Sequence, residues 1–567
     1  MESQAAEETG SHKRTTAGGL IVVIVVAAFL LYPPVTAFQN LGSEAVFNFF
    51  AQDTFYYISV ANKSATGFYT FDGELPVNGF HPLWQFLLTA LFNAFGGSDQ
   101  STQLLIVFVV AALFTMAGYC LAGLAVYNVS GSKVLGIMII PGLVHLLCLF
   151  TVQRAFSSPW NAMNGMESCA TVLFGGMLLC LYSVALGQRR EFLSANRFYW
   201  LVGIILSLIV MARLDDVFLV AAFGFCYLTL RKRTFWDNAR KALILALPTA
   251  LLLICYLIFN YWRVGTPFPI SGVTKGGFAL ADNLAQLVQL LTTRSFPEAA
   301  GVHYWTRLLV HALMWIPLLV ALLFIGLVRG RKTLAQDNEK EVLLMALLVY
   351  VCLKALYNLV YVHANFQGNW YFVLSGLSVT FVALVLLAKP YRDMVEGFGR
   401  YGSCVGLFLV LLVALHVVFS AHVFTRRGNM VHKFWNDAGR VASQLRAVHP
   451  GVKLVEFDDG FIGYSLTIPA IHGMGFLLDY DGYVSRRGGR FLEYCYRRGF
   501  DTIASMQYIR PPRKELSAEE LRAILKIYEL RLENLNDYTF ELILYHQETG
   551  TSFIRFRPRS AAEERKR

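Results

Sequence analysis

Long apolar segments recur from residue 19 to residue 424, with shorter polar stretches between them. A helix needs about 20 consecutive apolar residues to cross the roughly 30 Å hydrocarbon core of a bilayer. Barrel strands of alternating polarity are absent, and helices are the other structure that satisfies the backbone in lipid. The pattern therefore predicts about eleven transmembrane helices, at about 19–38, 102–128, 134–152, 169–187, 198–212, 217–230, 242–262, 308–328, 342–360, 371–388 and 403–424.

The loops between these predicted helices alternate in charge. Every second loop is rich in Lys and Arg, whereas the long loop 39–101 contains only Lys63. Basic loops mark the cytoplasmic side of a membrane protein. We therefore expect a cytoplasmic N-terminal tail, 1–18, and a C-terminal segment, 425–567, outside the cytoplasmic (inner) membrane of the cell.

The C-terminal segment has the composition of a soluble α+β domain. Three of its stretches are typical of strands and one of a helix: 452–457, 461–467 and 540–545, and 518–533. The predicted fold class is thus a polytopic α-helical membrane protein with a C-terminal extracytoplasmic α+β domain. The membrane domain, 19–424, is expected to carry two long outer loops, 39–101 and 263–307.

The first of these outer loops is predicted to be structured. Ser43 can cap an interfacial helix that continues to about Ala65. Asp72-Gly73 predicts a turn, and a second aromatic segment of interfacial length begins at Asn78.

Composition agrees with a membrane protein: 56% of the residues are hydrophobic and 15% are charged, against about 45–50% and about 25% in soluble domains. The net charge of +11 would indicate nucleic-acid binding in a soluble protein, but here much of the excess lies in loops and reports orientation. The nine scattered cysteines form no CxxC pair, so no disulfide or zinc framework is indicated. No Walker, GxGxxG or HExxH motif is present, so no motif indicates an ATP-driven pump or a zinc protease.

Asp53, in the sequence QDTFYY with Tyr57, is the first candidate for chemistry. A carboxylate beside a hydroxyl acceptor can act as a general base, although a solvated acid on a helix face has the same pattern. In NGFHPLW, His81 is a candidate to bind substrate or phosphate, or to serve a structural role. Trp84 in the same motif is a candidate for substrate contact or for an anchor at the membrane interface.

A second group of charged residues lies at predicted span ends. Glu167, in NGMES, is a candidate for substrate contact or for a carboxylate that complements a helix dipole. Arg213 and Asp215 interrupt residues 198–230 and leave two helices that cover only roughly 20–23 Å each. We therefore expect their turn to be recessed and to line a polar cavity, unless the charges merely pair to hold the turn.

Arg263 and Lys275 belong to the segment RVGTPFPISGVTK, at the predicted outer face. Two cations there suit the phosphate of a lipid head group, which they can bind by charge-assisted hydrogen bonds. General snorkelling of basic side chains to membrane lipids is an equal alternative.

Five segments, in this order along the chain, resemble bacterial GT-C glycosyltransferases, above all arabinofuranosyltransferase-like and protein-mannosyltransferase-like members. They are QDTFYYISVANKSATGFYTFDGELPVNGFHPLW, NGMES, ARLDD, RVGTPFPISGVTK and FDDGFIGYSL. One departure is Gln52, where the family has the first acid of a pair.

The resemblance implies an integral-membrane enzyme that transfers a sugar from a polyprenyl-phosphate donor to an extracytoplasmic acceptor: a cell-envelope glycan, a lipid or a protein. By position, Asp53 would be the catalytic base for an inverting displacement. Arg213, Arg263 and Lys275 would stabilise the departing phosphate. Metal dependence is open, with Mg²⁺ or Mn²⁺ as the candidate divalent cation.

Two other functions fit the same charged residues. In a transporter or a lipid or glycan flippase they would line a substrate path, but the paired repeats usual in such folds are not visible. In a non-catalytic scaffold or receptor, buried charges at several span ends would be costly without use. The sequence leaves the sugar and the acceptor open.

Overall fold

A computed structural model gives the fold. It describes the following residues: 2–64, 69–95, 99–140, 159–187, 196–230, 234–284, 339–362, 369–425, 430–457, 460–506, 515–521 and 535–559.

Helices dominate the chain up to residue 425. In chain order they are α1 Glu2–Leu41, α2 Val46–Phe49, α3 Thr54–Lys63, α4 Pro82–Ala94, α5 Gln100–Ser130, α6 Lys133–Ile137, α7 Ser168–Gly187, α8 Asn196–Ala212, α9 Val217–Leu230, α10 Phe235–Val264, α11 Ile270–Lys275, α12 Glu339–Tyr361, α13 Val373–Gly397 and α14 Gly402–Phe424.

Seven helices of the described chain are long and apolar enough to cross a membrane. They correspond to seven of the predicted spans: Thr16–Phe49, Gln100–Ser130, Ser168–Leu186, Phe235–Val264, Glu339–Tyr361, Val373–Gly397 and Gly402–Phe424. The two short predicted spans around Arg213 are also helices, α8 and α9. The predicted span 308–328 and most of 134–152 lie outside the described residues. The chain is thus a polytopic helical membrane protein, as the sequence predicted.

Two compact units make up the chain. The helical unit comprises 1–45, 108–253 and 276–425, and the mixed unit comprises 46–107, 254–275 and 426–567. The predicted boundary between 19–424 and 425–567 remains a prediction, since the mixed unit draws on three separate stretches of sequence.

Within the helical unit, α1 packs against α14, α7 against α8 and α13, and α12 against α9 and α13. These helices carry buried apolar side chains, for example Val22 on α1, Leu206 on α8 and Val382 on α13. Because lipid tails are as apolar as these side chains, close van der Waals packing rather than removal of apolar surface from water holds such helices together.

The described residues of the C-terminal part of the mixed unit form a six-stranded sheet and four helices, which confirms its α+β class. The helices are α15 Met430–Val448, α16 Phe461–Leu466, α17 Tyr480–Arg487 and α18 Phe491–Arg497. The strands are β1 Leu454–Glu456, β2 Ala470–His472, β3 Thr502–Ser505, β4 Glu515–Leu516, β5 Tyr538–His546 and β6 Thr551–Pro558.

The sheet has the order β2-β1-β3-β6-β5-β4. Strands β1, β2 and β3 are parallel, and β3, β6, β5 and β4 pair antiparallel. Phe491, Ile503, Ile554 and Phe556 belong to its apolar core. Strand β2 ends at His472, where a turn begins.

The predicted strand 461–467 is wrong, because these residues form helix α16. Glu456 on β1 is fully buried, and its carboxylate accepts hydrogen bonds from the backbone N–H groups of Ile462 at 2.6 Å and Gly463 at 2.9 Å. Those two groups have no partner within a helix at its first turn. The carboxylate of Glu456, on the strand just before it, therefore caps the helix, and all six residues of the helix are buried.

The predicted strands at 452–457 and 540–545 are confirmed as β1 and β5. Most of the predicted helix 518–533 lies outside the described residues.

The single helix expected from Ser43 to about Ala65 is also wrong. The chain forms a 3₁₀ turn, Gly42–Ala45, then α2, and then a break before α3 begins at Thr54. Gln52 and Asp53 form the turn at this break, where the backbone N–H of Phe55 donates to the carbonyl of Gln52 at 3.1 Å. The break places Asp53 at the start of a helix rather than on its face.

Candidate active site

Asp53 is the residue immediately before α3, and its side chain does not cap that helix. Only 8% of the residue is exposed, so it is not the solvated surface acid that the sequence left as an alternative. Phe55 and Tyr56, which follow it, are buried as well. The local break in the helix therefore turns a carboxylate into the interior of the mixed unit.

Lys275 forms an ion pair with Asp53. It ends α11, and its Nζ lies 3.8 Å from Oδ2 of Asp53 and 4.2 Å from the ring centre of Phe476. The side chain of Lys275 is 14% exposed. An ion pair this close, with little water around it, is screened less than a surface pair.

Asn78 holds the segment that carries Lys275. Its Oδ1 accepts a hydrogen bond from the backbone N–H of Ile270 at 3.1 Å, and its Nδ2 donates to the carbonyl of Phe268 at 3.2 Å. The neighbouring Gly79 approaches Phe476 so closely that an added Cβ would lie 1.6 Å from its carbonyl oxygen. The motifs NGFHPLW and PFPISGVTK are thus joined by the buried side-chain amide of Asn78. Neither motif by itself predicts this contact.

Tyr57 and His81 are also brought together. The hydroxyl of Tyr57 accepts a hydrogen bond from the backbone N–H of His81 at 3.3 Å, and Gln85 donates to the backbone carbonyl of Tyr57 at 3.2 Å. Tyr57 and Trp84 are fully buried. Trp84 thus lies in the interior of the mixed unit, not as the exposed interface anchor that the sequence offered as one interpretation.

His472, at the end of β2, is a residue that the sequence analysis missed. It is fully buried, and its ring contacts those of Tyr56, Phe71 and Phe476, with centroids 6.2, 5.6 and 5.4 Å away. Its Nδ1 accepts a hydrogen bond from the backbone N–H of Phe476 at 3.3 Å, so the neutral ring carries its proton on Nε2. No sequence motif surrounds His472, so only the residues that it contacts in the folded protein identify it as part of the site.

Burial is the main cause that lowers the pKa of His472 to about 3; Lys275 and Arg486 lower it further, while Asp53 opposes the shift. The imidazole is therefore neutral at physiological pH. A neutral ring leaves the charges of Asp53 and Lys275 unchanged and offers one hydrogen-bond donor.

Arg263 lies in the last turn of α10, with its guanidinium 5.2 Å from the ring centre of Trp262. Trp262 is 75% exposed. This stacking belongs to an exposed region of the mixed unit, and the phosphate-binding role of Arg263 stays a prediction.

Three other predicted residues, Glu167, Arg213 and Asp215, form a separate cluster inside the helical unit. Nη1 of Arg213 donates to Oε1 of Glu167 at 2.6 Å, and its Nε lies 2.9 Å from Oδ1 of Asp215. Arg213 also lies over the ring of Tyr371, 4.2 Å from its centre. From the sequence, these charges could either line a cavity or pair with one another. In the helical unit they form ion pairs.

Lys354 on α12 completes that cluster and was missed by the sequence analysis. Its Nζ pairs with Asp216 and lies 3.5 Å from Oδ2 of Asp215, and the hydroxyl of Tyr350 donates to Asp216 at 2.6 Å. The signal that could have found it is a lysine in the middle of the apolar run 342–361 of this helix, because such a charge needs a partner in the membrane. Four buried charges, Glu167, Arg213, Asp216 and Lys354, and the partly buried Asp215 thus lie together.

A divalent cation does not fit these residues well. Among the described residues, no group of three or more His, Cys, Asp or Glu side chains is placed to hold a metal ion. Asp53 is paired with a lysine, and Glu167, Asp215 and Asp216 are paired with Arg213 or Lys354. We therefore derive no step through a metal, and the predicted Mg²⁺ or Mn²⁺ remains a prediction.

No protein-family model matches the sequence, and no curated protein matches it significantly. Among solved structures, the apo oligosaccharyltransferase of Archaeoglobus fulgidus is similar, with 13% identity and a TM-score of 0.48, over 86% of this chain and 69% of that chain. The archaeal oligosaccharyltransferase AglB from the same organism, in complex with an inhibitory peptide and a dolichol-phosphate, has 12% identity and a TM-score of 0.47, over 94% and 74%. Since both TM-scores are below 0.5, these similarities carry no argument about the fold or the activity of this chain.

Proposed function

We propose that this protein is a membrane glycosyltransferase of the GT-C type, which transfers a sugar from a polyprenyl-phosphate-linked donor to an extracytoplasmic acceptor. The observation that carries the proposal is the buried pair of Asp53 and Lys275, 3.8 Å apart. A base and a cation side by side are what a displacement at a glycosyl phosphate needs. The base accepts the proton of the acceptor, and the cation binds the phosphate that leaves.

The reaction runs in one displacement. Asp53 takes the proton of an acceptor hydroxyl while that oxygen forms a bond to the anomeric carbon of the sugar. The bond from that carbon to the phosphate oxygen breaks, and the polyprenyl phosphate leaves with the electron pair. Lys275 stabilises its added negative charge. One inversion of the anomeric carbon results, and Asp53 holds the proton until water removes it.

The other residues of the mixed unit serve this pair. Tyr57 fixes the backbone at His81, which positions the His81 side chain for contact with the donor or the acceptor. Trp84 and Tyr57 are fully buried, so their role is to pack the region that positions the substrate-contacting residues. Arg263 is a further ligand for the head group of the lipid donor.

In the helical unit, Glu167, Arg213 and Asp215 form a paired network that we propose to shape a polar cavity among the spans. The same network is the observation that favours the second candidate, a transporter or flippase for a lipid or a glycan, because buried charge networks line many substrate paths.

The proposed setting is the cytoplasmic membrane, with the N-terminus inside and the mixed unit outside. A cell-envelope glycan, a lipid and a protein are all acceptors that offer a nucleophile on that side. Among these, the acceptor class is left to the experiment.

The test compares cells that lack the gene with cells that carry the wild-type, Asp53→Asn, Asp53→Glu or Asp481→Asn protein. Lipid-linked sugars and envelope glycans are measured by mass spectrometry, and protein amounts by immunoblot. We expect the deletion to lose one glycan linkage, wild type to restore it, and Asp53→Asn to leave it missing. Asp481 is an exposed acid in the mixed unit, so Asp481→Asn should restore it fully.

Two outcomes would contradict the proposal. If Asp53→Asn restored the glycan linkage fully, Asp53 would not be the catalytic base. Accumulation of the complete glycan on the wrong side of the membrane in the deletion strain, with linkages intact, would favour the transporter.

A further inference from the structure

Helix α16 packs against the beginning of α3 within the mixed unit. The ring of Phe461, the first residue of α16, meets the ring of Phe55 edge-on, with centroids 4.7 Å apart. Both side chains are buried, and Phe55 lies in the first turn of α3, two residues after Asp53. Aromatic pairs in this geometry contribute more than the area that they bury, so this pair stabilises the packing of α16 on the first turn of α3.

Gly460, immediately before α16, approaches the backbone of α3 as well. It has a φ of +89°, and an added Cβ would lie 3.0 Å from the backbone nitrogen and 3.1 Å from Cα of Tyr56. Only glycine adopts this conformation easily and leaves room for a second backbone at this distance. The start of α16 therefore lies directly on the first turn of α3.

The other end of α16 is connected to the last turn of α3 through a glutamine of α5. The hydroxyl of Tyr464 donates to Oε1 of Gln103 at 3.1 Å. The same oxygen accepts a hydrogen bond from Nδ2 of Asn62, in the last turn of α3, at 2.7 Å. Contacts of α16 thus reach both ends of the helix that follows Asp53.

The position of the Asp53 carboxylate depends on this first turn. The side chain of Asp53 makes no hydrogen bond that caps α3, and α3 begins only after the interruption that follows α2. The helix itself therefore does not fix the carboxylate through a cap. A shift of the first turn of α3 would carry Asp53 with it.

Glu456 holds α16 in its place. It belongs to β1, which is paired with β2 on one side and β3 on the other. Its buried carboxylate accepts the hydrogen bonds of Ile462 and Gly463 at 2.6 and 2.9 Å, and hydrogen bonds to a charged acceptor are stronger than neutral ones. A Cβ added at Gly463 would lie 2.8 Å from Oε2 of Glu456, so the glycine leaves room for the carboxylate.

We propose that Glu456 is a positioning residue for Asp53: Glu456 holds α16, and α16 holds the first turn of α3 where Asp53 can accept the proton of the acceptor. The inference rests on the proposed function, because it takes Asp53 as the base. It gives the C-terminal segment a part in the reaction, since a reacting group displaced by about 1 Å can lose about 100-fold in rate.

Two variants and two matched controls separate positioning from general stability, all in the full-length protein in lipid nanodiscs. Phe461→Leu removes the aromatic contact with α3. Phe491→Leu makes the same change in the apolar core of the sheet. Glu456→Gln turns an amide group toward one of the two N–H groups of α16, and Glu548→Gln changes an exposed acid of the same unit.

The expected result is a split between kcat and KM. Phe461→Leu and Glu456→Gln should lower kcat about 10–100-fold and leave the KM values of donor and acceptor nearly unchanged, because the groups that bind the substrates stay in place. Phe491→Leu should lower the thermal midpoint, as Phe461→Leu does, and keep the kcat of wild type. Glu548→Gln should match wild type in both measurements.

Hydrogen exchange at the amides of Thr54 and Phe55 gives a second measurement, which needs no sugar transfer. These amides donate to the carbonyls of Ala51 and Gln52 at 3.1 Å each, and they exchange when the turn opens. Phe461→Leu should speed their exchange about 2–10-fold, as expected for the loss of an aromatic pair. The control in the sheet core should leave their exchange unchanged.

Equal exchange at these amides in Phe461→Leu and Phe491→Leu would overturn the inference, as would a kcat of Glu456→Gln equal to that of wild type. Failure of the proposed function has a different result. The wild-type protein would then transfer no sugar, while hydrogen exchange would still report whether α16 holds the segment that carries Asp53.

Discussion

The ammonium group of Lys275 lies 3.8 Å from Oδ2 of Asp53, although the two residues belong to distant segments of the sequence. Asp53 precedes a helix in the first long loop, and Lys275 ends a short helix after α10. The pair joins the proposed base and the proposed phosphate-binding cation in one buried position.

Replacement of Lys275 by Gln should impair donor use. The loss of a hydrogen bond from a charged group costs about 1.5–3 kcal/mol, which is roughly 10–100-fold in affinity. We expect the KM for the lipid-linked donor to rise by that factor while the KM for the acceptor changes little. Steady-state kinetics in nanodiscs measure both values. Lys433→Gln, at an exposed position of the same unit, is the matched control, and an unchanged donor KM in Lys275→Gln would disprove the phosphate role.

Gly79→Ala should disrupt the junction between the NGFHPLW motif and the turn at Phe476. The added methyl carbon would lie 1.6 Å from a backbone carbonyl oxygen, which cannot move aside like a flexible side chain. Overpacking of this kind costs about 1–3 kcal/mol, so the thermal midpoint should fall and transfer should weaken with it. Gly272→Ala is the control, since its added carbon meets no heavy atom within 4 Å. Similar midpoints for the two variants would contradict the close approach.

His472 should make the protein sensitive to acid. Its folded-state pKa of about 3 lies below the ordinary value of 6.5, so the unfolded chain takes up a proton while the folded chain does not. The stability due to the neutral ring is therefore complete above pH 6.5 and is lost as the pH falls toward 3. From pH 7 to pH 5 the loss is about 2 kcal/mol.

Thermal midpoints of the full-length protein across this pH range test that expectation. His472→Gln, which keeps a hydrogen-bonding amide, should show a shallower decline than wild type. His422→Gln, at an exposed position, should decline as wild type does. Parallel curves for His472→Gln and wild type would mean that the buried imidazole does not account for the acid sensitivity.

Lys354→Met should destabilise the helical unit strongly. It leaves the buried carboxylates of Asp215 and Asp216 short of a cation, and removal of one partner of a buried ion pair costs about 3–5 kcal/mol. The double variant Lys354→Met with Asp216→Asn should recover part of that loss, because it removes one uncompensated charge. Unfolding midpoints in detergent measure both, with Lys389→Met at an exposed position of α13 as control. No recovery in the double variant would contradict a direct pairing.

The local sequence predicted the membrane helices because a run of apolar residues has the same consequence in lipid wherever it occurs. It was less reliable for the mixed unit. Residues 461–466 are compatible with a strand or a helix, and the carboxylate of Glu456 decides for the helix. Likewise, the sequence from Ser43 is compatible with one long helix, yet the helix is interrupted between Phe49 and Thr54.

The sequence by itself determined the polytopic helical class, the α+β class of the C-terminal segment and the candidate acid Asp53, since each follows from hydropathy, composition or a short motif. Only the tertiary structure decided that Lys275 and His472 lie near Asp53, and that Lys354 joins the cluster around Arg213. Such pairs depend on how distant segments pack, and the identity of a residue does not specify which distant residue will contact it.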